Sequence, residues 1–232
     1  MTRTVVIHQP DFLPWLGFFH RLLKADLYIV LDHVQFVSGT ARSWMHRDRI
    51  KTSAGARWLS LSLQRAPLGT PIRDIRLAPD PAWRARNLNL VRENYRKAPY
   101  FDYVFPQLER LYASSHTRLV DMNLDAIDLL CAAFDIHVER ALSSEMSPAG
   151  ASNEMLAELL RGSGATHYLS GLGAREYFDP APFARAGVEV VWQDFTHPVY
   201  PQLHGPFVPM LSAVDMLFNC GVERSRDLLR SS

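Results

Sequence analysis

A chain of 232 residues is long enough for one sizeable domain or two small ones sharing a core, and a formal charge of +1 argues against a general nucleic-acid binder. Apolar residues make up 47% of it, but no segment approaches the roughly 20 consecutive apolar residues that span a bilayer. The N-terminus MTRTVVIHQP carries no small-residue cleavage site, and Cys131 and Cys220 each sit in an apolar helical pattern as buried small hydrophobes, so a cytoplasmic protein is expected.

Thr4 to His8 is β-branched and apolar and predicts a short buried strand. After a loop punctuated by Pro10 and Pro14, Trp15 to Leu23 has apolar residues at helical spacing, and Leu27 to Leu31 is a second apolar run. Strand, helix and strand in this order fit a βαβ unit with parallel strands. Trp58 to Leu63 alternates and predicts a strand, as does Ile72 to Leu77 after the Gly69-Thr70-Pro71 turn. Helices are predicted over Trp83–Arg96, over Phe101–Tyr112 with a kink or a new start at Pro106, and over Arg118–Phe134. Val138–Leu142 predicts a weak strand, Asn153–Gly162 a helix, His167–Leu169 a strand, Pro180–Ala186 a short helix and Val188–Trp192 a strand. Ser212 is the candidate N-cap of a helix to Asn219, with Asp215 three residues on and Gly221 just past its end; the tail from Arg224 is expected to fray. Alternating elements predict a single α/β domain with a mainly parallel, Rossmann-like sheet and a helical insertion from about 81 to 135.

In open parallel sheets ligands bind beyond the carboxyl ends of the strands. That rule selects His8, Gln9, Pro10 and Asp11 after the first strand, and Asp32, His33 and Gln35 after the second. It selects Ser170, Gly171 and Gly173, with Tyr177 downstream, after the His167–Leu169 strand, and Gln193, Asp194, His197 and Tyr200 after the Val188–Trp192 strand. A histidine beside a carboxylate equips a site for acid–base work near neutral pH, which makes His8 and Asp32 the candidate catalytic pair. Each of them alone reads equally well as a brace or a satisfied core group.

The run "ARSWMHRDRIKTSAGAR" (41–57) sets Arg42, Arg47, Arg49, Lys51 and Arg57 against one acid, Asp48, with Trp44 and His46 interleaved. Arginine forks suit phosphates and carboxylates, and a neighbouring aromatic suits a ring; a solvated surface run is the plain alternative. "SGLGAREYFD" lacks the third glycine of a dinucleotide-binding loop, and no metal-ligand spacing appears among nine histidines.

Taken in order, "HQPDFLPWLGFF" (8–19), "DLYIVLDHVQF" (26–36), "RSWMHRDRI" (42–50), "YRKAPYF" (95–101), "LSGLGAREYFD" (169–179) and "FVPMLSAVDMLFNCG" (207–221) resemble the WbqC-like protein family. The family pattern near the arginines is similar to W-x-N-R-N-x-I; here His46 and Asp48 stand at the asparagine positions, while Trp44, Arg47 and Ile50 are kept. The first βαβ also resembles the opening of nucleotidylyltransferases and class I synthetase cores, but Trp15 and Phe18 stand where those carry the histidines of H-x-G-H.

The family resemblance implies a place in surface-polysaccharide (O-antigen, lipopolysaccharide) biosynthesis and glycine or other aminoacyl transfer to a sugar. The expected activity is therefore an acyl- or aminoacyl-transferase forming an amide on an amino-sugar or other small amine. In it, His8 or Asp32 takes the proton of the attacking amine, and Arg42, Arg47 and Arg49 hold an anionic group. Gln9, Gln35 and Tyr200 orient polar groups, and Trp15 and Trp44 stack on a ring. The donor is an aminoacyl-tRNA, a carrier-protein or coenzyme A thioester, or an ATP-activated acid. A nucleotide-sugar or phosphate-ligand binder without acyl transfer, and a tRNA-interacting module, are the alternatives; no membrane insertion is expected.

Overall fold

The computed structural model describes residues 2–37 and 43–232. Five parallel strands form the main sheet: β1 (Thr4–His8), β2 (Leu27–Val30), β5 (Glu139–Leu142), β6 (His167–Ser170) and β7 (Glu189–Trp192). Between β2 and β5, β3 (Arg47–Thr52) and β4 (Gly55–Ser60) make a separate antiparallel hairpin. The order across the main sheet is β5-β2-β1-β6-β7. The chain lays strands in one direction from β1 to β5, then returns to the other side of β1 for β6 and β7. The carboxyl ends of β1 and β6 therefore flank the point where strand order reverses, the place where such sheets open a crevice.

α1 (Leu16–Leu22) links β1 to β2. α2 (Ala82–Tyr95), α3 (Phe101–Tyr112) and α4 (Leu119–Phe134) are the predicted helical insertion, and α3 runs through Pro106 in a single helix. α5 (Ser143–Met146), α6 (Ser152–Gly162) and α7 (Pro180–Arg185) follow, and α8 (Ala213–Arg230) closes the described chain. One apolar cluster joins α1, the three insertion helices, the hairpin and α8; a second joins the opposite sheet face to α6 and α7. None of the helices is long and apolar enough to cross a membrane, among the described residues.

Several expectations change. Ile72–Leu77 is a 3-10 turn (Ile72–Asp74) followed by isolated bridges from Arg76 to Arg118 and from Leu77 to Leu63, because Ile75 N turns back to Ile72 O and the chain does not run on as a strand. The strand expected from Trp58 begins earlier, at Gly55, because it pairs with β3, whose Arg47-Asp48-Arg49 run masks its period of two. The tail from Arg224 is helical: Arg226 donates to the carbonyls of Ala132 and Ala133, and Arg230 to that of Phe134, capping the end of α4. Gly221, instead of ending the helix, breaks α8 at φ 72°, and a Cβ there would lie 2.4 Å from the Tyr100 ring. Ser212 makes no side-chain cap; its hydroxyl donates to Leu13 O at 2.7 Å.

Candidate active site

The loop after β1 is built tightly. Leu13 is fully buried in the left-handed region at φ 44°, an uncommon and strained backbone for a residue before proline. Clamps hold it there. Ala213 N donates to Pro14 O, Phe12 N to Trp44 O, and the buried amide of Asn123 to both Pro10 O and Met45 O, each at 2.6 Å for the last two. Gly17 lets the Trp15 indole lie directly on the first turn of α1, since a Cβ there would be 2.3 Å from the ring. Phe195 meets the same ring edge-on and His197 lies nearly parallel to it.

These constraints wall a cleft of about 640 Å³ beyond the carboxyl ends of β1, β6 and β7. Of the residues selected from sequence, His8, Gln9, Asp11, Trp15, Trp44, Ser170, Gly171, Gly173, Tyr177 and Gln193 line it together. His8 Nδ1 lies 2.8 Å from Gln9 O. A carbonyl only accepts, so Nδ1 carries the hydrogen and Nε2 keeps the lone pair. Burial, with the Arg21 cation adding, pulls the imidazole down to about 3, so it is neutral at physiological pH. Asp11 Oδ2 is 3.6 Å from Nδ1, too long for a hydrogen bond. Asp11 is 6% exposed, and burial raises its carboxyl to about 7 against the pull of Arg21.

Arg21 itself also lines the cleft. It is 6% exposed, its Nε is buried without a partner, and no carboxylate among the described residues reaches it within 4 Å. Gly171 stands directly over it: a Cβ there would be 3.6 Å from Nη1. Gln193, from the end of β7, donates its side-chain amide to Gly17 O and His20 Nδ1 and closes the inner wall.

The remaining candidates are brought elsewhere. Asp32 is buried behind the edge of β5. It accepts from the hydroxyls of Ser143 and Ser144 and from Ser144 N, and it does not line the cleft. Its position at the end of β2 follows the strand-end rule, but its acceptor sites are taken up in bracing the β5–α5 turn. Tyr200 is buried and donates to Asp215 at 2.9 Å. His197 accepts from Met210 N and supports the Trp15 wall from behind. Pro10 contributes through its clamped carbonyl.

The β3 part of the basic run is not a solvated face, whereas Arg57, on β4, is exposed. Asp48 and Lys51 are buried, and Lys51 Nζ donates to the carbonyls of Gly205 and Pro206. Arg47 covers Trp58 at 4.2 Å, while Arg49 sits between Trp44 and Trp58 and donates to Met210 O at 3.0 Å. These arginines stiffen the outer wall; the cation on the cleft floor is Arg21. Gln35 and His46 line a different cavity of about 630 Å³, with Leu63, Gln64 and Arg65. Arg42 lies outside the described residues. No group of three or more His, Cys, Asp or Glu side chains among the described residues is disposed to hold a metal ion.

Arg21 had one signal in the sequence. Leu16, Phe18, Phe19 and Leu22 leave the helix no wide polar face, and a helix without one encloses the charge it carries.

The model of the WbqC-like protein family matches residues 9–227. The chain is 32% identical over 231 residues, 98% of each chain, to an uncharacterized protein of Mycobacterium tuberculosis (strain ATCC 25618 / H37Rv), Rv1507c. No solved structure matches the chain significantly. The chain belongs to the WbqC-like protein family.

Proposed function

We propose that this cleft is the active site of an acyl- or aminoacyl-transferase that forms an amide on an amino-sugar or other small amine. The observation that carries the reading is His8: its Nδ1–H is fixed on Gln9 O, and its bare Nε2 belongs to a neutral ring in a cleft at the strand-order reversal. The amine nitrogen attacks the acyl carbonyl carbon, and the C–N bond forms as the ester C–O, thioester C–S or acyl-phosphate C–O bond breaks. Nε2 takes the proton that the attacking nitrogen sheds and returns it to the departing alkoxide or thiolate, or releases it to solvent where the leaving group is a phosphate. The donor is an activated acyl group: an aminoacyl-tRNA, a thioester of a carrier protein or coenzyme A, or an acid activated by ATP.

Trp15 and Trp44 offer ring faces to the acceptor, Gln9 and Ser170 offer polar groups, and Tyr177 closes the rim. Walls fixed by the strained Leu13 loop hold the reactants at contact distance, which supplies much of the rate. Such a reaction suits cytosolic steps of surface-polysaccharide or specialised-metabolite biosynthesis.

Mass spectrometry of the protein offered amino-sugars with acyl and aminoacyl donors tests the reading. An amide product is expected, and His8→Gln is expected to lower kcat by about 100-fold or more while ligand affinity stays within a few-fold. Full activity in His8→Gln would remove His8 from the chemistry.

A further inference from the structure

Buried charges in folded proteins are paired, or they wait for a partner. Arg21 has no partner within the described chain. It projects from α1 into the cleft, its Nε is orphaned, and its carboxylate neighbour Asp11 stops short of an ion pair. Gly171 puts no side chain over the guanidinium. A planar fork with free donors, desolvated and facing a cavity, matches the two oxygens of one oxyanion.

We propose that Arg21 is the anion-binding floor of the cleft and that the substrate held there carries a free carboxylate. This rests on the acyl-transfer reading for which molecule is meant. The carboxylate belongs to the acceptor amine or to the body of the acyl group, because the reacting carbonyl is esterified. A monoanion fits better than a phosphate. Among the described lining residues Arg21 is the one arginine or lysine, and Asp11 already brings an acidic group to the same floor, so a dianion would leave negative charge buried and uncompensated. Arg49, on the Trp44 side, is engaged with Met210 O. Gln9, Ser170 and Gln193 give the rest of the floor hydrogen-bonding groups that suit a hydroxylated or amide-bearing body.

Binding has a consequence at His8. Arg21 is one of the two influences that depress its basicity, so an anion neutralising the guanidinium makes Nε2 a better proton acceptor once substrate is seated.

Calorimetric titration of the full chain tests this without any need for turnover, using glycine, glucuronate and inorganic phosphate as probes. Glycine or glucuronate is expected to bind the wild type, which separates an amino-acid source of the carboxylate from a sugar-acid source. Arg21→Gln is expected to weaken that binding by about 10- to 100-fold, and Arg21→Lys, which keeps the charge and loses the fork, by less. The His8 imidazole pKa followed by NMR is expected to rise on saturation in the wild type and to stay put in Arg21→Gln. Should Arg21→Gln fail to fold, Arg21→Lys carries the comparison. Binding of phosphate but not of either carboxylate, no binding of any probe, or equal carboxylate affinity in the wild type and the Arg21 variants would overturn the proposal. Arg21-dependent carboxylate binding without a transfer product would leave it standing and overturn the acyl-transfer reading alone; transfer with an unchanged KM in Arg21→Gln would do the reverse.

Discussion

Asp215 and Arg21 are both buried charges, at 0% and 6% exposure, and their surroundings are opposite. Asp215 accepts from Tyr95 at 2.6 Å, from Tyr200 at 2.9 Å and from the Gln202 amide at 2.8 Å. Tyr95 in turn accepts from Lys51 N, so the hub ties α2, β3, the 200–202 loop and α8 into one satisfied network. Arg21 has no such network. The first arrangement lowers the energy of the fold. The second leaves a cost in the folded chain that an incoming group can remove, and such unspent polar groups mark a binding site more reliably than the presence of charge does. Asp32 belongs with Asp215: three donors from Ser143 and Ser144 fill it.

The largest expected effect tests the satisfied side of this contrast. Asp215→Ala strands two buried tyrosine hydroxyls and the Gln202 amide and is expected to cost about 3–5 kcal/mol in chemical denaturation. A loss under about 1 kcal/mol would mean that the hub is not what separates the two regions. Gly17→Ala drives a methyl group into the Trp15 ring packed against Phe195. Overpacking of this kind is expected to cost about 1–3 kcal/mol and to shift the tryptophan fluorescence, whereas an unchanged spectrum would show that the wall is soft.

Asp11→Asn sharpens the unsatisfied side through pH. Burial raises the Asp11 carboxyl from 3.8 to about 7, so the folded state holds a proton that the unfolded state has lost between those values. Wild-type stability therefore carries a contribution that falls as pH rises through this window, at most by about 1.4 kcal/mol per pH unit. The stability advantage of Asp11→Asn over the wild type is expected to grow from pH 4 to pH 7 and to level off above it. A difference that stays flat with pH would place Asp11 in contact with water or in a tight ion pair.

The sequence made the sheet legible where burial left a clear pattern. β1, β2, β6 and β7 are short apolar runs, and the strand-end rule then gathered His8, Gln9, Ser170 and Gly171 at one crevice. It misplaced Asp32, because the Ser143 and Ser144 that occupy it lie about 110 residues further on and arrive only when β5 pairs with β2. It missed β3, because a strand built as Arg47-Asp48-Arg49 buries Asp48 and clasps its arginines to tryptophans, and charge composition alone reads as a surface. It weighted those arginines over Arg21 for the same reason: cations in a cluster are visible in a sequence, while a single cation is functional only if its surroundings leave it unpaired.

Arg21→Met tests the central contrast most directly. The unfolding free energy of this variant, measured by chemical denaturation at pH 6 without ligand, where Asp11 holds its proton in the folded state, is predicted to equal or exceed that of the wild type, by up to about 1–3 kcal/mol. A loss of more than about 1 kcal/mol would show that Arg21 serves the fold and would contradict its assignment as a charge held ready for a substrate.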